Sequence, residues 1–128
     1  MPGPARAGVF IYAKDKERIS RFDEVIAGMT RLHEAVDFTV LESPDIQLLV
    51  HSIPSVIADS IQITSPPARR EDTALKLFLT VPSLHVARGG AAELGGQVGD
   101  ENWTGPGFVV CNAMDPEGNV FQLRESAT

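Results

Sequence analysis

Two polar side chains near the carboxyl end of the sequence have the spacing of a ligand-binding strand. Gln122 and Arg124 lie within residues 120–125, directly after the turn sequence Asp-Pro-Glu-Gly-Asn at 115–119. Asp and Pro favour the start of a turn, and Gly and Asn tolerate a positive φ within it. Because side chains alternate along a strand, both residues face one side with Val120, and the apolar residues between them face the other. An amide and a guanidinium on one face could hold a ligand by hydrogen bonds and charge.

The side chains that most often bind metals or act as nucleophiles are scattered along the chain. The histidines, His33, His51 and His85, have no metal-ligand spacing. His33 and His51 both lie on predicted strands, and His51 is the better candidate for a pocket. The single cysteine, Cys111, excludes an intrachain disulfide and a cysteine-based metal cluster. It lies in the apolar segment 108–114, which is typical of an inert core thiol. No Ser-His-Asp or Cys-His arrangement follows from residue order, so catalytic residues stay unassigned.

Composition and charge narrow the class of protein. The 128 residues suit one ordinary domain or two small modules, and 43% hydrophobic residues are enough for a core. The net charge of −6 argues against a nucleic-acid surface, and the basic pair at 69–70 is followed at once by two acidic residues. The N-terminal residues 1–6 lack the apolar run of a signal peptide, and no segment approaches the roughly 18 apolar residues that span a bilayer. We therefore expect a cytoplasmic protein that binds neither nucleic acid nor membrane.

A strand followed by a helix occurs twice. The first copy has a β-rich segment at 8–13, Asp15 as helix N-cap and Gly28 as C-terminal cap. The second copy follows 68 positions later, with a strand at 76–81 and Ser83 as N-cap. The apolar faces of the two helices are Ile19, Phe22, Ile26 and Met29 in the first and Leu84, Ala87, Ala91 and Leu94 in the second.

Each copy continues with three more strands. They are predicted at 31–35, 37–42 and 46–51 in the first copy, and near 97–98, at 108–114 and at 120–125 in the second. The second copy has a longer loop at 99–107, in which Trp103 is a candidate lid, hydrophobic plug or dimer contact. The sequence thus predicts one domain, 1–128, built from two βαβββ modules at about 7–51 and 74–125. A connector at 52–73 joins them and contains a short helix around 56–60.

These features resemble the vicinal oxygen chelate superfamily, which contains glyoxalase I, the bleomycin-resistance proteins and the extradiol dioxygenases. The resemblance covers about residues 7–125 and rests on the first strand, Asp15, the helix that ends Phe22…Gly28-Met29, and the closing segment 115–123. One departure is Asp23, where the family often carries Tyr. The resemblance implies an α+β fold in which two βαβββ modules form a curled, cup-shaped mixed sheet with helices outside. It also implies a homodimer.

In the enzymes of this superfamily, four side chains on the floor of the cup hold a divalent metal. Projected onto this sequence, the resemblance implies that these positions are Gly8, Gln47, Lys76 and Gln122. Glycine offers no ligand, a lysine ammonium repels a cation, and two neutral amides hold divalent metals poorly. We therefore expect no bound metal and no cofactor.

The same projection predicts the residues that contact a ligand. Alternation places Phe10 and Tyr12 with Gly8, His51 with Gln47, Phe78 with Lys76, and Arg124 with Gln122. Lys76 is the leading candidate, as a partner for an anionic ligand or, with a lowered pKa, as a base or imine-forming amine. The simpler alternative is that these residues fill a collapsed cup and that the glutamines satisfy each other. The predicted ligand-binding residues are Lys76, Gln122, Gln47, Tyr12, His51, Phe78, Arg124 and Trp103.

Three functions remain open at this point. The first is metal-independent binding of a small organic molecule, although a floor lysine does not suit the cationic drugs that bleomycin-resistance proteins sequester. The second is an enzyme (lyase, isomerase or dioxygenase) with its metal elsewhere or with Lys76 and His51 as acid and base. The third is a non-catalytic accessory domain with a closed cup. We predict the first.

Overall fold

The computed structural model describes residues 5–127. Within this range the chain separates after Gln62 into two units, and each contains a four-stranded mixed sheet. The predicted α+β class and the repeated βαβββ order are confirmed. Positions 1–4, which begin the segment where we expected no signal peptide, lie outside the described residues. No helix within residues 5–127 is both long and apolar enough to cross a bilayer.

The first unit follows the predicted order closely. Its sheet has the strand order β1-β4-β3-β2, in which β1 runs parallel to β4 and the other neighbours are antiparallel. The predicted short helix after the last strand is present as α2. The elements are β1 (Gly8–Ala13), α1 (Lys16–Ala27), β2 (Thr30–Glu34), β3 (Phe38–Glu42), β4 (Gln47–Ser52) and α2 (Ser55–Ala58).

Helix α1 begins and ends where the sequence predicts. The Asp15 carboxylate accepts a hydrogen bond from Arg18 N at 3.1 Å, which satisfies one of the free N–H groups of the first turn. Gly28 ends the helix at φ 64°, a conformation that glycine adopts without a Cβ penalty. Ile19 and Phe22 are fully buried. The helix therefore covers one face of the sheet, where Leu41, Leu48 and Val50 are also fully buried.

The second unit repeats this topology with the strand order β5-β8-β7-β6, and β5 runs parallel to β8. Its helix α3 is capped by Ser83, which accepts a hydrogen bond from Val86 N at 3.2 Å. Glu125 also accepts from Leu84 N at 2.7 Å and so ties the start of the helix to β8. The elements are β5 (Phe78–Thr80), α3 (Leu84–Glu93), β6 (Gln97–Gly105), β7 (Phe108–Met114) and β8 (Val120–Ser126).

Two predictions about the second unit are wrong. The strand predicted at 76–81 covers only Phe78–Thr80, so Lys76 precedes it. The loop predicted at 99–107 is largely strand, because β6 continues to Gly105 and pairs with β7. A register shift between Val98 and Asn102 accommodates the extra residues. Glycine content suggested a loop here, whereas cross-strand pairing with an apolar neighbour determines the structure.

The turn between β7 and β8 is organised by a buried carboxylate. Asp115 accepts hydrogen bonds from Glu117 N at 2.9 Å, Asn119 N at 3.0 Å and Asn119 Nδ2 at 2.8 Å. Burial raises the pKa of Asp115, and these hydrogen bonds offset that effect only in part. The turn fixes where β8 begins and therefore where its side chains lie.

Gly118 lets this turn approach the preceding connector. It has φ 87°, and a Cβ at this position would lie 2.0 Å from the backbone oxygen of Ala68. Arg70 N donates to Gly118 O at 2.9 Å, and Arg70 forms a short parallel bridge with Asn119. Only glycine satisfies both the positive φ and this close contact.

Candidate functional site

Each sheet has one face that its helix does not cover, and the predicted site residues lie on these faces. In the first unit, strand register places Gly8 beside Gln47 and Tyr12 beside His51. We call this surface the first open face; its members are Gly8, Phe10, Tyr12, Phe38, Val40, Gln47, Leu49 and His51. Phe10 is 60% exposed and Tyr12 57% exposed, so large aromatic surface is available here.

Five rings form a continuous row across the first sheet. His51 is central, with its ring centroid 5.8 Å from Tyr12 and 6.3 Å from Phe38. Phe10 extends the row by stacking on Tyr12 at 6.2 Å, and His33 extends it from Phe38 at 5.7 Å. These separations are those of favourable aromatic pairs. We call these residues the aromatic row.

The His51 ring has a defined proton position. Its Nδ1 lies 2.8 Å from the Ser52 carbonyl oxygen, which can only accept, so Nδ1 carries the proton. In the neutral ring Nε2 is then an acceptor. His51 can therefore take a hydrogen bond or a proton from a ligand on this face.

Phe38 was not predicted as a site residue, and neither was His33. The alternation of residues 38–42 indicated that Phe38 and Val40 share a face. The pairing of Phe38 with His51 depends on the register of β3 against β4, which the sequence pattern alone did not specify.

The second open face is built on β5, β7 and β8. Phe78 lies opposite Gln122, and Thr80 lies opposite Arg124. On the other side of β8, Asn112 lies opposite Gln122, and Gln122 Nε2 donates to Asn112 Oδ1 at 3.3 Å. The members of this face are Phe78, Thr80, Trp103, Phe108, Val110, Asn112, Gln122 and Arg124.

Arg124 is held between two aromatic rings on this face. Its guanidinium carbon lies 3.7 Å from the centroid of the Phe78 ring and 4.2 Å from that of Phe108. Ring faces attract a cation electrostatically. The ring of Phe108 can lie there because residue 105 is glycine: a Cβ on Gly105 would be 2.3 Å from the Phe108 ring. We call Phe78, Arg124 and Phe108 the arginine clamp.

Lys76 does not occupy the position projected for it. In the first unit Gln47 lies opposite Gly8, whereas in the second Gln122 lies opposite Phe78. Gln122 N donates to Leu77 O just as Gln47 N donates to Ala7 O, which confirms that Phe78 is the counterpart of Gly8. Lys76 is exposed and lies two residues earlier, on the chain before β5.

Lys76 was projected wrongly because the link between the first strand and the helix is two residues shorter in the second unit. From Gly8 to the N-cap Asp15 the chain advances seven positions (15 − 8), but from Phe78 to the N-cap Ser83 only five (83 − 78). The helices therefore repeat at 68 positions, whereas the first strands, β1 and β5, repeat at 70 (78 − 8). A single offset of 68 aligned the helices and shifted the strand by two.

Trp103 lies in strand β6 and not in a lid loop. It pairs with Val110 and is 42% exposed on the second open face. A tryptophan in a paired strand forms part of the floor of this face, whereas the lid alternative assumed a loop at 99–107; the plug and the dimer contact stay predictions.

Cys111 lies on the opposite, helix-covered side of the second sheet. Its thiol is buried and donates to Asn102 Oδ1 at 2.7 Å, while Arg88 Nη2 lies 3.4 Å from the sulfur. Burial raises the pKa of the Cys111 thiol, and the charge of Arg88 opposes that effect. The thiol is therefore neutral at pH 7, which matches the predicted core role.

The residues at the projected metal positions do not fit a divalent ion. Gly8 supplies no ligand atom, and neither does Phe78, which lies where Lys76 was projected, so each sheet offers one neutral glutamine amide. A Cβ on Gly8 would already lie 3.0 Å from Gln47 O. Across residues 5–127, no group of three or more His, Cys, Asp or Glu side chains is arranged to hold a metal. Mg²⁺ and the transition metals require carboxylate, imidazole or thiolate ligands that these positions lack.

Comparison with known proteins gives structural but not sequence relatives. The chain matches no protein-family model and no curated protein sequence. A glyoxalase/bleomycin resistance protein/dioxygenase family enzyme from Burkholderia phytofirmans PsJN is similar at a TM-score of 0.68 and 14% identity, covering 96% of this chain and 99% of that one. A glyoxalase/bleomycin resistance protein from Albidiferax ferrireducens T118 has a TM-score of 0.65 at 14% identity, with coverage of 93% and 96%.

A third similar structure is the fosfomycin resistance protein FosX from Mesorhizobium loti. Its TM-score is 0.64 at 11% identity, and the match covers 99% of this chain and 95% of that one. At such identities the likeness establishes the fold over nearly the whole chain. Together with two βαβββ units, it identifies the chain as a protein with the vicinal oxygen chelate fold, that of the glyoxalases, bleomycin-resistance proteins and dioxygenases.

Proposed function

We propose that this protein binds a small organic molecule on the open faces of its sheets and uses no metal to do so. The aromatic row carries this proposal. The rings of Phe10 and Tyr12 stack on each other and are more than half exposed, so they give a flat ligand a surface for stacking. On the first open face, taken by itself, the proposed contacts are Gln47, Tyr12 and His51. On the second they are Phe78, Gln122, Arg124 and Trp103, with Lys76 on the chain before β5.

The absence of a suitable ligand set supports metal-independent binding over metal chemistry. Gly8 occupies one projected position and Phe78 lies where Lys76 was projected, so recovery of a chelate would need substitutions in both units. Two of the similar structures are named for resistance to bleomycin and one for resistance to fosfomycin. Those names make antibiotics a reasonable part of a first ligand panel.

The test is a ligand screen with matched variants. Thermal unfolding is followed with antibiotics, organic acids and thiol conjugates, and each hit is titrated by isothermal calorimetry. Tyr12→Ala should weaken binding about tenfold, because stacking on one ring contributes roughly 0.5–1.5 kcal/mol beyond buried area. Val25→Ala is the control, since Val25 is similarly exposed on helix α1. A panel without hits, or equal losses in both variants, would count against the proposal and favour an accessory domain.

An acid–base enzyme is the second candidate, and His51 favours it. Its Nε2 is an acceptor on the same face as the phenol of Tyr12. Elemental analysis of protein purified without chelators separates the alternatives: stoichiometric Ni, Zn, Mn or Fe would revive metal chemistry. If turnover is found without metal, His51→Gln should lower kcat and leave binding of the substrate largely unchanged.

We also propose that the chain forms a homodimer. In each sheet the outer strands pair on one side only, and a second chain would cover such edges. Light scattering tests this directly: a mass near 13.8 kDa at micromolar concentration would exclude a stable dimer.

A further inference from the structure

The arginine clamp has the properties of a site for a carboxylate. We propose, building on the proposed function, that the ligand carries a carboxylate group and that Arg124 binds it on the second open face. The inference concerns Arg124, where the sequence had favoured Lys76 for an anionic ligand.

The charge of Arg124 has no counter-ion among the residues that the structure describes. Among residues 5–127, no carboxylate lies within ion-pair distance of its guanidinium. Arg31 and Arg88 are also partly buried but each has an acidic partner, although Arg88 Nε, like Arg124 Nε, is buried without a hydrogen bond. Arg124 is half-buried, and its Nε is buried without an acceptor. Buried unpaired polar atoms are uncommon in folded proteins and call for an explanation.

The second argument is geometric. The guanidinium carbon lies 3.7 Å from the centroid of the Phe78 ring and 4.2 Å from that of the Phe108 ring, so both rings pack against the guanidinium. A partner must then bind the N–H groups that the rings leave accessible. The terminal nitrogens retain solvent access and have no hydrogen-bond acceptor within the part of the chain that the structure describes. Two parallel N–H groups in a fixed plane match the two oxygens of a carboxylate.

The third argument is that the clamp is pre-organised. A free arginine side chain loses rotamer freedom when it is immobilised. Here the rings already restrict it, and the ring of Phe108 is itself placed by the missing side chain of Gly105. A ligand that binds the guanidinium therefore avoids part of the ordering cost.

A hydrogen-bonding pair adjacent to the clamp extends the recognition surface. Gln122 lies two residues before Arg124 on β8, roughly 7 Å away at the usual rise per residue. It pairs with Asn112 on β7, and the two side chains share one hydrogen bond at 3.3 Å. The second amide hydrogen of Gln122, both amide hydrogens of Asn112 and the Oε1 oxygen of Gln122 remain for a ligand. The expected ligand is therefore an aromatic or aliphatic carboxylate with a polar group a few bonds away.

The net charge of −6 does not conflict with an anionic ligand. At physiological ionic strength, charges beyond about 8 Å are largely screened. The local environment of the guanidinium, which contains two rings and two neutral amides, determines the attraction.

The experiment compares acids with their neutral isosteres. Benzoate and phenylacetate, with benzamide and phenylacetamide, are titrated into the ¹⁵N-labelled full chain and followed by NMR shift changes. Each acid should bind at least about tenfold more tightly than its amide, because hydrogen bonds to charged groups contribute roughly 1.5–3 kcal/mol. Arg124→Gln should abolish this preference, and Arg124→Lys should retain only part of it. Arg69→Gln, which removes an exposed arginine elsewhere in the same unit, should not change it.

The outcomes separate this inference from the proposed function. If acids and amides bind equally, or if Arg124→Gln keeps the preference while folding normally, the carboxylate assignment is wrong and binding on the open faces stands. Loss of the preference in Lys76→Met alone would place the anion at Lys76 and overturn the assignment. Equal competition by inorganic phosphate would show a general oxyanion site and would also overturn it. Failure of all four compounds to bind would count against both.

Discussion

Gly118 offers the sharpest test of how the turn before β8 is held. In Gly118→Ala the new Cβ meets the Ala68 carbonyl oxygen at 2.0 Å, and this atom belongs to the backbone and cannot rotate away. The substitution adds the cost of a positive φ for alanine, about 1–2 kcal/mol. Moving the connector also weakens the hydrogen bond from Arg70 N to Gly118 O, about 0.5–1.5 kcal/mol. We expect a loss of about 3 kcal/mol or more in the free energy of unfolding.

Gly107 supplies the matched control for this prediction. It also has a positive φ, 78°, but a Cβ there meets nothing within 4 Å. Gly107→Ala should therefore lose only the conformational part, about 1–2 kcal/mol. Urea denaturation followed by circular dichroism measures both variants, with an unchanged m-value as the check on two-state behaviour. If the two losses agree within about 0.5 kcal/mol, the contact with Ala68 has no energetic weight and the reasoning is refuted.

Four further predictions concern pH, packing and helix propensity. The pKa of Asp115 is raised in the folded protein, so Asp115 contributes its full stability below the pKa of the unfolded chain, and this contribution is lost as the pH rises through the pKa of the folded protein. In Asp115→Asn, urea midpoints measured from pH 3 upward should lack that loss. Glu17 behaves oppositely, because the hydrogen bond from Arg31 lowers its pKa and its contribution disappears as the pH falls through that lowered value. Glu17 is exposed, so Glu17→Gln should cost only about 0.2–1 kcal/mol at pH 7 and nothing in strong acid; a larger loss in acid would contradict the assignment. Gly89→Ala should raise stability by about 0.5–1 kcal/mol, since helix α3 leaves open space for the methyl group, and a thermal midpoint below that of the wild type would disprove this. Gly105→Ala should displace the Phe108 ring and lower stability by about 1–3 kcal/mol, and unchanged Phe108 ring shifts in NMR spectra would count against the arginine clamp.

Local signals predicted most of the fold because the physics behind them is local. Asp15 and Ser83 cap their helices, Gly28 ends the first helix at a positive φ, and the alternation after residue 119 places Gln122 and Arg124 on one face. Each of these depends on a residue and its near neighbours. Such signals require no knowledge of which strand lies beside which.

Features that depend on pairing were beyond the sequence pattern. Trp103 sits among glycines and polar residues, and only the apolar partner strand β7 shows that it belongs to a strand. The arginine clamp joins residues from β5, β7 and β8, with Phe78 and Phe108 thirty positions apart (108 − 78). Phe78 and Arg124 were both predicted as ligand contacts, but no periodicity indicated that the Phe78 ring would pack on the Arg124 guanidinium.

The shortened link ahead of Ser83 has a practical consequence for anyone who exchanges parts between the two halves. Helical residues can be transferred at a spacing of 68 (83 − 15), but residues of β1 reach their counterparts in β5 only at a spacing of 70 (78 − 8). A β1 substitution copied into the second unit at the helical spacing would lie on the intended face of the sheet but two residues before its intended position. It would then be roughly 7 Å from its intended neighbour. The two units therefore share an architecture but not a single residue spacing. A substitution transferred between them should be aligned separately for each strand and helix.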